Sequence, residues 1–213
     1  METHDPLEQH LADDVAAPSA DRWARLRGRL AEHAAASELL DVAYAPLDSP
    51  LGELIIAATP AGVVRLAFDN ESRDHVLGEL ASRLSPRLLE APARLDTARR
   101  ELDEYFAGTR THFDLPLDWA LSAGFRRRVL AATAAIPYGQ TGTYRSVATA
   151  AGSPPAVRAA GTALATNPIP IIVPCHRVLR SDGTLGGYRG GPARKDLLLR
   201  RETERKDTER GVS

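Results

Sequence analysis

Cys175 is the only thiol in the chain, and it stands in Pro174-Cys175-His176-Arg177-Val178, beside an imidazole and a guanidinium. The thiolate is the nucleophilic form of cysteine, and a neighbouring imidazole and nearby positive charge are expected to lower its pKa. Nucleophilic chemistry at sulfur is one reading of the motif. The other is a small buried apolar residue after a strand, the commoner fate of an isolated cysteine. One cysteine excludes an internal disulfide and any structural zinc site built on paired thiolates. Ahead of it runs Asn167-Pro168-Ile169-Pro170-Ile171-Ile172-Val173, whose prolines forbid a continuous helix and predict an extended, rigid path to the thiol.

Several elements must carry this segment. Phe125–Ala135 is apolar at helical spacing, Thr143–Ala151 reads as a second short helix, Gly152-Ser153-Pro154 as a turn, and Pro155–Thr166 as a third helix with proline in its first turn. Helix, tight glycine turn, helix is the helix-turn-helix pattern, with Arg145 and Arg158 on its two helices. Charge points the same way. Residues 1–119 hold 12 arginines against 22 acidic residues, whereas residues 120–213 hold 15 basic against 6 acidic. A basic half of this kind suits phosphate neutralisation on nucleic acid, although segregation on two solvated surfaces gives the same count.

The 213 residues, 43% of them hydrophobic, suffice for one large domain or two small ones. No apolar run approaches the roughly 18 residues of a membrane span, and the acidic opening METHDPLEQHLADD lacks the pattern of a signal peptide, so a cytoplasmic protein is expected. A helix is predicted over Asp21–Leu40, with Ser19 as N-cap and Trp23, Leu26, Leu30 and Ala34 at helical spacing. Val42–Ala45, Gly52–Ala58 and Val63–Phe68 read as consecutive antiparallel strands between turn clusters, Arg73–Leu84 and Pro92–Phe106 as helices, the second stopped by Gly108, and His112–Leu115 as a further strand. An α+β domain follows from about residue 41 to 118.

The Pro174–Val178 motif, preceded by Asn167-Pro168 and followed by Gly187-Tyr188-Arg189-Gly190-Gly191, resembles the active site of the O6-alkylguanine-DNA alkyltransferases, and the resemblance covers roughly residues 41–202. It implies an α+β fold: an N-terminal domain resembling ribonuclease H, then a C-terminal winged helix-turn-helix domain. The organisation expected is an arm (1–40), an α+β domain (41–118), a DNA-binding alkyltransferase domain (119–205) and a tail (206–213). The activity implied is repair by direct reversal. An alkyl group passes irreversibly from O6-alkylguanine in double-stranded DNA, and by extension O4-alkylthymine, to Cys175, with no cofactor, membrane or obligate protein partner.

The same resemblance implies the site residues. Cys175 matches the alkyl acceptor, and His176 and Glu202 match the relay that reaches the sulfur through a water. Tyr144 matches the tyrosine that helps rotate the nucleotide out and donates its hydroxyl to the leaving guanine. Arg158 matches the arginine that fills the vacated stack, on a helix whose small Ala159 and Gly161 let the backbone approach a groove. Asn167 matches the brace between recognition helix and active-site segment, and is grouped with Arg145 on the DNA-binding side. Pro170, Val178 with its guanine-reading carbonyl, and the loop of Tyr188, Arg189 and Gly190 match the pocket. Without the resemblance, Tyr144 reads as a half-buried core tyrosine and Glu202 as a solvated acid at a helix end. Two departures accompany it. The zinc of some members has no cysteines to bind it here, and Arg189 stands where small residues are usual, at the pocket rim. Three rivals stand beside it: a DNA-binding protein without transferase activity, whose kind lacks the cysteine that this chain has; a regulator switched by alkylated Cys175, for which residues 1–40 offer no second cysteine as acceptor; and a Cys-His-Glu hydrolase, which would turn over.

Overall fold

The computed structural model describes residues 19–210. Helix α1 (Ala20–Ala36) opens it, with the Arg22 amide donating to the Ser19 hydroxyl at 3.3 Å, the capping expected of that serine. The helix stops four residues short of Leu40, because Glu38 takes a left-handed φ of 55° and the Leu39 amide turns back to the Ala34 carbonyl. Trp23, Leu26 and Leu30 stay exposed, while Ala31 and Ala34 are buried, Ala31 packing with Ala43 and Ala91. The part of the expected arm formed by residues 1–18 lies outside the described residues.

Strands β1 (Val42–Leu47), β2 (Leu54–Thr59) and β3 (Gly62–Phe68) pair as consecutive antiparallel neighbours. The period of two in β2 sends Leu54 and Ile56 to one face and Ile55 and Ala57 to the other, and each pair joins a separate apolar cluster. Helix α2 (Arg73–Arg83) covers one face through Val76 and Leu80. Helix α3 (Asp96–Ala107) covers the other through Ala98, Leu102, Tyr105 and Phe106, and Gly108 ends it in the left-handed conformation expected of a helix stop. A short strand β4 (Leu88–Glu90), parallel to β1, completes a sheet of order β3-β2-β1-β4.

The strand expected over His112–Leu115 does not form. Its backbone donors are spent elsewhere: the Asp114 amide goes to the Glu101 carboxylate at 2.9 Å, and the next candidate, Pro116, has no N–H. The chain just beyond it, the linker 116–119, meets β3 through the Val63 amide on the Pro116 carbonyl at 2.8 Å and the Asp118 amide on the Val63 carbonyl at 2.9 Å.

Beyond this linker, α4 (Gly124–Ala134), α5 (Tyr144–Ala150) and α6 (Val157–Ala165) pack on one another. Thr143 and Ser146 cap α5 reciprocally, each side chain bonding the other residue's backbone. Strand β5 (Gly142–Thr143) pairs in parallel with β6 (Val178–Leu179), and Leu179 bridges Leu185 across a tight turn to make a minimal wing. Helix α7 (Pro192–Arg210) is the last described element. The architecture is the expected one, an α+β unit followed by a winged helix-turn-helix. The two are sewn together along β3, whose Leu66 amide donates to the Pro168 carbonyl at 2.8 Å, so that an edge strand is covered.

Gly62 shows how close the linker comes. Its φ is +137°, and a Cβ there would sit 2.2 Å from the Pro116 carbonyl oxygen. Gly62→Ala is expected to cost about 2–4 kcal/mol in urea unfolding. Gly78→Ala, on α2 with nothing within 4 Å, should instead be neutral or stabilising by up to about 1 kcal/mol. Equal effects would contradict this account of the junction.

Candidate active site

The segment before the cysteine is rigid but not extended. Val173 donates to the Ile169 carbonyl at 2.9 Å, Ile172 to Pro170 at 3.0 Å and Cys175 to Val173 at 2.8 Å, so the chain folds into successive turns, with Ile171 at a left-handed φ of 73°. Proline restricts the backbone without requiring a strand, and here it supports tight turns. Asn167 ties the knot. Its Oδ1 accepts from the Ile169 amide at 3.0 Å, while Nδ2 donates to the Val173 carbonyl at 2.9 Å and to Cys175 Sγ at 3.1 Å. It is wholly buried, so its place is on the sulfur and in the turn; a duplex contact, implied by grouping it with the DNA-binding residues, does not fit.

Cys175 is 3% exposed, and this reverses the expectation for its acidity. Burial disfavours the thiolate more strongly than the Asn167 hydrogen bond and the Lys195 charge favour it, and the pKa rises to about 11. At neutral pH the sulfur carries its proton. His176 is buried too, and its pKa falls below the ordinary value, again chiefly by desolvation.

The partner of His176 is Glu202 on α7, Nε2 to Oε1 at 2.9 Å. That carboxylate is buried under converging donors: Arg177 Nε to Oε2 and Nη2 to Oε1, both at 2.9 Å, the Tyr105 hydroxyl to Oε1 at 2.8 Å and the Gly139 amide to Oε2 at 3.1 Å. Burial alone would raise its pKa; the bonds from His176 and Arg177 overcome that and hold it at about 2. An ionised carboxylate only accepts, so Nε2 bears the imidazole proton. His176 Nδ1 is left buried without a hydrogen-bond partner among the described residues, a base with its lone pair free.

On the helix-turn-helix domain, Tyr144, Val157, Arg158, Gly161, Arg180, Gly186 and their neighbours line an open cleft of about 430 Å³. The Tyr144 hydroxyl lies against Gly186, where a Cβ would approach to 1.9 Å, and its ring is 3.8 Å from the Cβ position of Gly161; only glycine leaves room at residue 186. Arg158, Ala159 and Arg145 are exposed on the outer faces of α6 and α5. Pro170 and Val178 are buried, and the Val178 carbonyl already accepts from Lys195 Nζ at 2.6 Å. The Tyr188 ring stands edge-on to His176 at 6.4 Å. Arg189 is not a free rim residue: Nε and Nη2 reach Glu71 Oε2 at 2.9 and 2.6 Å.

The halves of this site match two family descriptions. Residues 42–119 match the ribonuclease-like domain of 6-O-methylguanine DNA methyltransferase and residues 124–204 its DNA-binding domain. The chain belongs to this methyltransferase family. The methylated-DNA–protein-cysteine methyltransferase of Methanosarcina barkeri is 37% identical over 159 residues, 75% of this chain and 96% of the relative. The bifunctional transcriptional activator/DNA repair enzyme Ada of Escherichia coli is 40% identical over 172 residues, but this chain spans only 48% of it. The crystal structure of Mycobacterium tuberculosis O6-methylguanine methyltransferase, 38% identical, superposes with a TM-score of 0.66 over 77% of this chain and 94% of that one. A DNA complex of the M. tuberculosis protein aligns with the same TM-score over 76% of this chain.

Sequence reasoning assigned no role to Tyr105 or Lys195, and read Arg177 only as positive charge beside the thiol, whereas its guanidinium is spent on Glu202. Tyr105 lies 97 positions from Glu202, and no local pattern announces such a pair.

With a folded pKa near 2 against an ordinary 4.5, Glu202 contributes stability above about pH 4.5 and loses it as pH falls towards 2. Glu202→Gln leaves Arg177 buried and unpaired and should cost about 3–5 kcal/mol at pH 7. The gap to wild type, followed by chemical denaturation, should shrink as pH falls from 4.5 to 2. A gap constant with pH would show that the carboxylate is not held ionised.

Proposed function

We propose that the protein repairs DNA by direct reversal, moving the alkyl group of O6-alkylguanine, and in principle of O4-alkylthymine, from duplex DNA to Cys175 in a single turnover. The observation that carries this reading is a buried, protonated thiol held by Asn167, next to a histidine oriented by an ionised glutamate, in a basic helix-turn-helix domain whose open cleft is lined by Tyr144, a residue close enough to feel the charge of Cys175. A thiol so enclosed suits a substrate brought to it by extrusion from the stack.

The chemistry balances within the chain. The Cys175 proton passes through a bridging water to His176 Nδ1, and Glu202 stabilises the imidazolium that forms. The sulfur attacks the alkyl carbon in line with the C–O6 bond, so that a C–S bond forms as the C–O6 pair returns to the guanine. Tyr144 donates its hydroxyl proton to the guanine as its charge develops, and the resulting tyrosinate is reprotonated through solvent at the expense of the His176 imidazolium, so the net result is one proton from the thiol on the guanine, the alkyl group on sulfur, and His176 and Tyr144 neutral again. Desolvation and the nearby Cys175 raise the Tyr144 pKa, which keeps that proton available. No cofactor is needed for the balance.

In this reading Arg158 enters the stack in place of the flipped base, Ala159 and Gly161 let α6 sit close to the groove, and Arg145 adds a phosphate contact. Pro170, Val178, Tyr188 and Gly190 wall the base pocket. In this organisation 41–118 and 119–205 are the two working domains; the arm expected over 1–40 and the tail expected over 206–213 lie partly outside the described residues, and helix α7 takes up the tail as far as Arg210. No helix among the described residues is long and apolar enough to cross a membrane, and we place the protein in the cytoplasm.

The test is intact mass followed by peptide mapping after incubation with an O6-methylguanine duplex. One methyl group per molecule, carried on Cys175, is expected. Cys175→Ser should abolish transfer yet retain duplex binding, because a hydroxyl is a far weaker nucleophile while the basic surface is unchanged. Methyl on another residue, or product released in excess of protein, would overturn the assignment.

A further inference from the structure

The turn that follows β3 reaches across the domain boundary with four consecutive side chains. The Phe68 ring packs edge-on to Tyr188, centroids 5.7 Å apart, and lies 2.9 Å from where a Cβ on Gly190 would be. Asp69 Oδ1 accepts from Arg194 Nη2 at 2.5 Å, and Arg194 Nη1 in turn donates to the Gly190 carbonyl at 3.1 Å. Asn70 Nδ2 donates to the Arg189 carbonyl at 3.0 Å. Glu71 Oε2 takes both the Arg189 guanidinium and Arg65 Nη2, the latter at 2.6 Å.

Arg65 is itself 1% exposed. Its Nη1 donates to the Leu66 carbonyl at 2.5 Å and to the Pro168 carbonyl at 3.3 Å. One buried cation of the ribonuclease-like domain thus holds the Asn167-Pro168 turn on one side of the pocket and, through Glu71, the Tyr188–Gly191 loop on the other. We propose that the Phe68–Glu71 turn, with Glu71 clasped between Arg65 and Arg189, is a specificity-determining clamp that fixes the distance between these two walls and so limits the size of the O6 substituent accepted. The inference rests on the alkyl-transfer reading and assigns part of its selectivity to the domain that does not carry the cysteine.

The direction of the effect follows from charge. Arg65 and Arg189 share one carboxylate oxygen. Without it the two guanidinium groups face each other in a partly buried site, and the remaining carboxylate near Arg65, Glu79, reaches Arg65 through Oε2 at 3.7 Å and Arg83 through Oε1 at 2.8 Å, with no ion pair to Arg189 among the described residues. Repulsion then displaces the less buried partner, Arg189, 22% exposed against 1% for Arg65, and with it the glycine-flanked loop that bears it. The wall moves outwards, which makes room for a bulky group and loosens the fit to a methyl.

The test compares single-turnover rates on one duplex carrying O6-methylguanine or O6-benzylguanine, so that base extrusion is common to both. Glu71→Gln should lower the methyl-to-benzyl rate ratio by roughly tenfold. The double change Glu71→Gln, Arg189→Met removes the repulsion and should bring the ratio back towards wild type. Asn70→Ala, an exposed site that removes one hydrogen bond to the loop, should shift the ratio in the same direction by about threefold and serves if Glu71→Gln fails to fold. Rates that fall in parallel with an unchanged ratio would show a merely structural contact and overturn the clamp. Failure of the alkyl-transfer reading would look different, as wild-type protein that takes no alkyl group on Cys175 from either duplex.

Discussion

The whole site depends on one buried carboxylate remaining ionised. Taking a glutamate out of water is costly unless its lone pairs are met by donors, and the donors of Glu202 come from separate parts of the chain: Tyr105 on α3, the Gly139 backbone before β5, and His176 and Arg177 beside the thiol. Satisfying this one anion therefore fixes the last helix, the active-site turn and the ribonuclease-like domain against one another. The requirement also decides the chemistry, since a carboxylate held near pKa 2 is too weak a base to take the imidazole proton. It orients His176, keeps the proton on Nε2 and leaves Nδ1 as the basic atom.

The thiol follows a complementary logic. Its high pKa means that little thiolate exists at rest, which protects a residue that can be used only once. A thiolate formed from a weak acid is also the stronger nucleophile, because nucleophilicity rises with basicity. Reactivity then waits for a substrate that fills the cleft and for a base already in position, and the cost of ionisation is met during transfer.

Much of the architecture was legible from local pattern. β1 to β3 were marked by apolar runs between turn clusters, α3 by its Gly108 stop, and the helix-turn-helix by Gly152 between two short helices. β4 was not legible, because the three residues of Leu88–Glu90 are too few to show a period. The 112–115 segment has strand-like composition, but the Asp114 amide goes to Glu101 and the His112 carbonyl accepts from Arg110. At the site, the cysteine motif stood out by itself, whereas Glu202 needed the family resemblance, and Tyr105, Arg65 and Glu71 gave no signal because their partners are distant in sequence. The acidity of Cys175 was misjudged for the same reason. Its charged neighbours are visible in the sequence, but the desolvation that outweighs them is a property of the packed fold.

The central claim is that the resting site holds a neutral thiol and a neutral imidazole oriented by an ionised Glu202. The most direct measurement is the nitrogen-15 NMR spectrum of the His176 ring in unreacted protein at pH 7. The account predicts a neutral ring, protonated at Nε2 and unprotonated at Nδ1. A doubly protonated imidazolium, the signature of a preformed thiolate–imidazolium pair, would contradict it.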